Sequence, residues 1–146
     1  MSEDDPRLGM RIAHRRYIPY SHAHYAGSLV DGAYLLGLFG DAATELCIRT
    51  DGDEGLFAGY DEVAFVAPVQ GGDVVEVTAT LTRLGRRSRT VAFEARVLCR
   101  ADPERAPSAA RVLAEPLVAL RATGTVVVPG DGSQTAGGFK AKSDDF

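Results

Sequence analysis

Residues 32–48 read GAYLLGLFGDAATELCI. Within them Leu35, Leu38, Phe39, Ala42, Ala43 and Leu46 recur at i, i+3, i+4 and i+7, the spacing of one buried helix face. Asp31 stands just before the run, where a short carboxylate can accept from the first unpaired N–H groups, and is the candidate N-cap. The helix is expected to end near Thr50, because Asp51-Gly52-Asp53 is turn chemistry. Gly37 and Gly40 lie inside it, each costing about 1 kcal/mol relative to Ala. Close packing against a sheet or a crossing ligand is the expected compensation.

On either side of this helix the period changes from 3.6 to 2. Residues 10–18 alternate apolar and polar and stop at Pro19, which reads as a strand. Residues 19–31 form a loop that carries His22, His24, Tyr25 and Gly27. After the helix, residues 55–67 read as extended up to Pro68. Val75, Val77, Ala79 and Leu81 then alternate against Glu76, Thr78, Thr80 and Thr82. Past a Gly85-Arg86-Arg87 turn, Val91, Phe93, Ala95, Val97 and Cys99 alternate against polar and small neighbours. That patterning is expected of an antiparallel sheet with one covered face. Residues 102–114 hold two prolines and read as a loop or short helical excursion, and 117–128 as a last long strand. Strand, helix, then four strands is no βαβ rhythm, so the fold class is α+β: about five antiparallel strands around one long helix. The second sheet face is left without cover, and a partner subunit is expected there.

The 146 residues suffice for one domain, 1–146, with a loose N-terminus at 1–9 and a Gly/Ser/Lys-rich tail at 129–146. The net charge of −4, from 16 basic and 20 acidic residues, argues against nucleic acid as a partner. Apolar runs are far shorter than the roughly 20 residues a membrane span needs, and the polar start lacks the features of a secretory signal. Cys47 and Cys99 form no CxxC or Cys/His cluster, so no metal is expected. They read as reduced thiols of a cytoplasmic protein, with a disulfide between them the minor alternative.

Six stretches carry a resemblance. FVAPVQGGD (65–73) and the Gly85-Arg86-Arg87-Ser88 turn resemble the corners of acyl-CoA enzymes of the hotdog fold. HYAGSLVDG (24–32), GDAATEL (40–46), DGD (51–53) and LFAGY (56–60) together are similar to the 3-aminoacyl-CoA ammonia-lyases. The similarity covers about residues 10–128. It implies reversible loss of ammonia from a short 3-aminoacyl-CoA, such as 3-aminobutyryl-CoA or β-alanyl-CoA, to give a 2-enoyl-CoA such as crotonyl-CoA. It implies no cofactor beyond the CoA of the substrate, and a homodimer assembling to a homohexamer with sites at the dimer interface. An acyl-CoA thioesterase on the same scaffold is the alternative, and a non-catalytic acyl-CoA-binding protein a second one. Hotdog thioesterases carry a helix acid nearer their Gly-Gly step than Asp41 lies from Gly32, and Asp31 stands where they have the first Gly.

The elimination needs a base for the α-proton, donors for an enolate-like oxygen, and proton control at the amine. Asp41 and Glu45 at i and i+4 share a helix face. In a dry site one of their pKa values should rise, with Glu45 the base and Asp41 on the substrate ammonium. On this reading Glu45→Gln should lower turnover far more than CoA binding. His24 is a candidate proton relay and Tyr25 a candidate donor; His14 and His22 have weaker claims. Gly27, Asp31 and Gly32 lie where helix N–H groups favour negative charge, and Gly32 would let a thioester oxygen come close. The resemblance adds Asp53 and Tyr60 to the substrate-binding set. Arg86 and Arg87, with Arg83 and Arg89, form a basic patch suited to CoA phosphates.

Overall fold

The computed structural model describes residues 4–129. The chain runs β1 (Arg11–Tyr17), α1 (Gly32–Asp51), β2 (Leu56–Phe65), β3 (Val74–Leu84), β4 (Ser88–Ala101) and β5 (Ala110–Val127). The strands form one antiparallel sheet in the order β1-β3-β4-β5-β2. The α+β expectation of five strands and one long helix therefore holds.

Helix α1 starts as its sequence predicts. The Asp31 carboxylate accepts from the Tyr34 N–H, and Gly52 ends the helix with φ +65°, a conformation that suits a residue without Cβ. The apolar stripe of α1 is buried, and the Phe39 ring stacks on Phe93 of β4 with centroids 5.0 Å apart. Facing it are Val75, Val77, Ala79 and Leu81 of β3 and Val91, Ala95 and Val97 of β4, all nearly inaccessible. The strict period of 2 puts every second residue on the helix side.

Three expectations are corrected. The fifth strand begins at Ala110, not near Leu117: Cys99 pairs with Val112 and Val97 with Leu117, so residues 113–116 bulge out of the ladder. Pro116 lies in that bulge and has no N–H to give, which is why the sequence looks like a loop there. Second, a Cβ at Gly37 or Gly40 would meet nothing within 4 Å, so no sheet presses on α1 there. Third, residues 4–9 are not a loose end. Arg7 bonds Asp5 and reaches Asp51 at the C-terminal end of α1 (3.1 Å). The tail expected over 129–146 lies outside the described residues except for Pro129. On the outer sheet face Arg11, Glu62, Thr78, Glu94 and Arg121 line a trough of about 600 Å³.

Candidate active site

Two polar clusters flank α1, one at each half. The first is at its N-terminus. The loop before the helix closes on itself through Tyr25 and Leu29, whose backbones exchange two hydrogen bonds around Ala26-Gly27-Ser28. Gly27 and Ser28 both take positive φ (77° and 61°) to make the turn, so Gly27 has a conformational role. The loop is tied to the next corner by Val30 N–H to Val69 O (2.9 Å) and Gly71 N–H to Ser28 O (3.0 Å). That corner is held from inside by Asp73, which is fully buried and accepts from Arg100 (2.9 and 3.0 Å) and from the Gln70 N–H.

On this frame the Asp31 carboxylate meets His24 Nε2 at 2.7 Å with its second oxygen. The bond with His24 is the main cause that holds the Asp31 carboxyl below its ordinary range, helped by the Tyr34 N–H. The Tyr25 ring lies against the His24 ring (centroids 4.4 Å), and His22 stacks on Tyr34 (4.1 Å). Val30 and Gly32, on either side of Asp31, line an apolar groove of about 310 Å³ with Leu35, Phe65, Val66 and Ala119. Gly32 makes room for the protein's own side chain: a Cβ there would lie 2.1 Å from Cε1 of Phe65, so that ring would have to move. The Phe65 ring thus takes the space that a Cβ on residue 32 would need. Phe65 is not among the residues the sequence singles out, although an aromatic just before Val66-Ala67-Pro68 at a strand end is visible there.

The second cluster lies further along α1. Glu45 meets His14 Nε2 at 2.6 Å and accepts from Arg49 at 2.7 Å. These two bonds, His14 first, hold its carboxyl below the ordinary range. Asp41 is two-thirds exposed and 3.9 Å from Arg16. The expected dry carboxylate pair is therefore not formed: each acid faces its own cation, and the pKa of Glu45 goes down rather than up. Asp31 and Glu45 are separated by 14 positions, about 21 Å along the axis. Within one protomer they cannot reach the same carbon. His14 had a signal in the sequence, since it alternates in phase with Ile12 and Ile18, the buried residues on either side.

The remaining candidates lie away from His24. The Tyr60 hydroxyl donates to the Leu36 carbonyl (3.1 Å), its ring packs on Phe57 and Phe93, and burial raises its pKa. Asp53 accepts from the Gly55 N–H (2.8 Å) in the turn after the helix. Arg86 and Arg87 are exposed on the β3–β4 turn. Arg89 leaves the predicted basic patch: it is 5% exposed and clasps Asp51 through two bonds of 2.7 and 2.9 Å. This turn is therefore at the C-terminal end of α1, roughly 30 Å from the His24 corner. Cys47 and Cys99 are free thiols, and burial pushes Cys47 up to about 11. Among the described residues no His/Cys/Asp/Glu group could hold a metal ion, and no helix is long and apolar enough to cross a membrane.

Residues 28–101 match the family model described as the thioesterase superfamily. The chain is 54% identical over 109 residues to the 3-aminobutyryl-CoA ammonia lyase of Acetoanaerobium sticklandii, covering 75% of this chain and 86% of that protein. Its fold superposes on the β-alanyl-CoA:ammonia lyase of Clostridium propionicum with a TM-score of 0.79 and 33% identity, over 85% of this chain and 88% of that one. A hexameric hotdog fold thioesterase of Campylobacter jejuni shares the fold alone (TM-score 0.66, 19% identity, 82% and 84% covered).

Proposed function

The chain belongs to the thioesterase superfamily and, within it, to the ammonia lyases that act on 3-aminoacyl-CoA thioesters, and from that premise we propose the reaction it catalyses. It is a carbon–nitrogen lyase that reversibly eliminates ammonia from a short-chain 3-aminoacyl-CoA, 3-aminobutyryl-CoA or β-alanyl-CoA, to give a 2-enoyl-CoA. The observation that carries this reading is the 54% identity to an ammonia lyase over three-quarters of the chain. The test is crotonyl-CoA with ammonium, following thioester, free thiol and amine separately. Amine formed with CoA still attached supports the lyase. Free CoA released without amine would turn the reading to the thioesterase.

The site is the N-terminal corner of α1. The first N–H groups of a helix have no partner within it and carry its positive dipole end, which suits a thioester oxygen gaining charge. The apolar groove beside Gly32 takes the acyl chain, with Phe65 as one wall. Phe65→Ala is expected to lengthen the groove. The ratio of kcat/KM for a five-carbon 2-enoyl-CoA over crotonyl-CoA should rise by about 10-fold, the order of one methylene in an apolar pocket. An unchanged ratio would remove Phe65 from the acyl site.

No cofactor is needed beyond the CoA of the substrate, and the protein works in the cytoplasm, in keeping with its free thiols. It assembles as a homohexamer, three hotdog dimers. Arg86 and Arg87 are too distant to reach CoA held at the His24 corner of their own protomer, so they serve a neighbouring subunit's nucleotide. Replacing both by Ser should raise KM for the CoA thioester and leave kcat and the six-chain mass unchanged. An unaltered KM would return them to a solvated turn.

A further inference from the structure

The Asp31 carboxylate is divided between two tasks. Oδ1 caps α1 by accepting from the Tyr34 N–H at 2.8 Å, and Oδ2 lies 2.7 Å from His24 Nε2. The carboxyl is ionised at neutral pH, because its pKa is lowered from an already acidic value. An ionised carboxylate only accepts, so the hydrogen in this contact sits on Nε2. In the neutral imidazole the lone pair is then on Nδ1, and the His24 side chain is 55% exposed. Both partners are held by the tied-down loop and the first turn of α1. Asp31 also stands between Val30 and Gly32, two walls of the apolar groove. The helix acids offer no equivalent: Glu45 is engaged by the His14 ring and the Arg49 guanidinium, and Asp41 stands in solvent.

We propose that Asp31 is a positioning residue that holds His24 as the Nε2–H tautomer, and that His24 Nδ1 is the base for the α-proton of the 3-aminoacyl thioester. This rests on the ammonia-lyase reading. In the elimination Nδ1 takes the α-proton and the C–H electron pair becomes the Cα=Cβ bond. The C–N bond breaks, its pair stays on nitrogen, and the β-ammonium leaves as neutral ammonia. His24 then carries both ring protons and its charge faces Asp31. In the reverse direction ammonia attacks the β-carbon and Nδ1–H returns its proton to the α-carbon. No oxidant or further reactant enters.

Asp31→Asn separates positioning from structure. Asn caps a helix as well as Asp. With its carbonyl oxygen on the Tyr34 N–H, its amide presents N–H to His24 Nε2 and favours the opposite tautomer. The expected result is a melting temperature near wild type, KM for crotonyl-CoA within about threefold, and kcat for amine formation lower by about 10- to 100-fold. In 15N-labelled protein the His24 signals, assigned by their loss in His24→Gln, should report Nε2–H in the wild type and Nδ1–H in the variant. A wild-type ring carrying Nδ1–H would overturn the proposal. So would an Asp31→Asn enzyme of unchanged kcat while the wild type forms amine. If the wild type forms no amine, the ammonia-lyase reading itself fails and the base role falls with it.

Discussion

Replacing His24 by Gln is expected to lower kcat for amine formation by about 10²–10⁴-fold, the usual contribution of a positioned general base. Gln can still donate to Asp31, so the cap and the loop should survive, but it has no ring nitrogen to take a proton. Glu45→Gln provides the contrast. Its carboxylate lies about 21 Å along the helix from Asp31 and is engaged by His14 and Arg49. Loss of a partly exposed ion pair costs little, and kcat should stay within about threefold of wild type. Steady-state kinetics with crotonyl-CoA and ammonium reads both variants. A large fall in Glu45→Gln with an active His24→Gln would reverse the assignment and restore the helix acid as base.

Asp51→Ala is expected to destabilise the protein by about 3–5 kcal/mol, the cost of leaving a buried charge without its partner. The Arg89 side chain is only 6% exposed and has two bonds to Asp51. Arg7 reaches the same carboxylate from the N-terminal turn, so one residue joins that turn, the end of α1 and the start of β4. Urea unfolding with unchanged slope should read the loss. Exchanging Asp51 and Arg89 together for Leu should cost less than Asp51→Ala alone, because no buried charge is then left unpaired. A single variant as stable as wild type would show that the cluster is solvated. The pH dependence has a definite sign. Burial raises the Asp51 carboxyl, but bonds from Arg89 and Thr50 and the charges of Arg89 and Arg7 outweigh it, and the net shift is below 3.8. The unfolded chain therefore binds the proton first as acid is added. The contribution is complete well above pH 3.8 and is lost as pH falls through the lower folded value.

Much of the fold could be read from periodicity. The inward residues of β3 and β4 are those the alternation chooses, and the buried side of α1 is its apolar stripe. Arg89 shows how a signal can be present and overruled by composition. It alternates in phase with Val91 and Phe93, which places it inward, yet four arginines in seven positions suggest a basic surface turn. Pro116 disguised the first part of β5 for a local reason, its missing N–H, which the bulge absorbs.

The sequence by itself determined the class of fold, the N-cap and the family. These depend on local geometry, on 3.6 and 2.0 residue periods and on a long motif written in one stretch of chain. Tertiary structure alone decided which charge meets which. Glu45 was grouped with Asp41, its neighbour on the helix. The sheet order places β1 beside β3 and so brings His14, 31 positions away, to 2.6 Å from that carboxylate. Asp51 was read as part of a turn, and the β3–β4 hairpin carries Arg89 into it from 38 positions away. Hydrogen bonds and Coulomb attraction act through space over a few ångströms. A pKa and a proton's position on an imidazole are therefore set by whatever the fold brings that close.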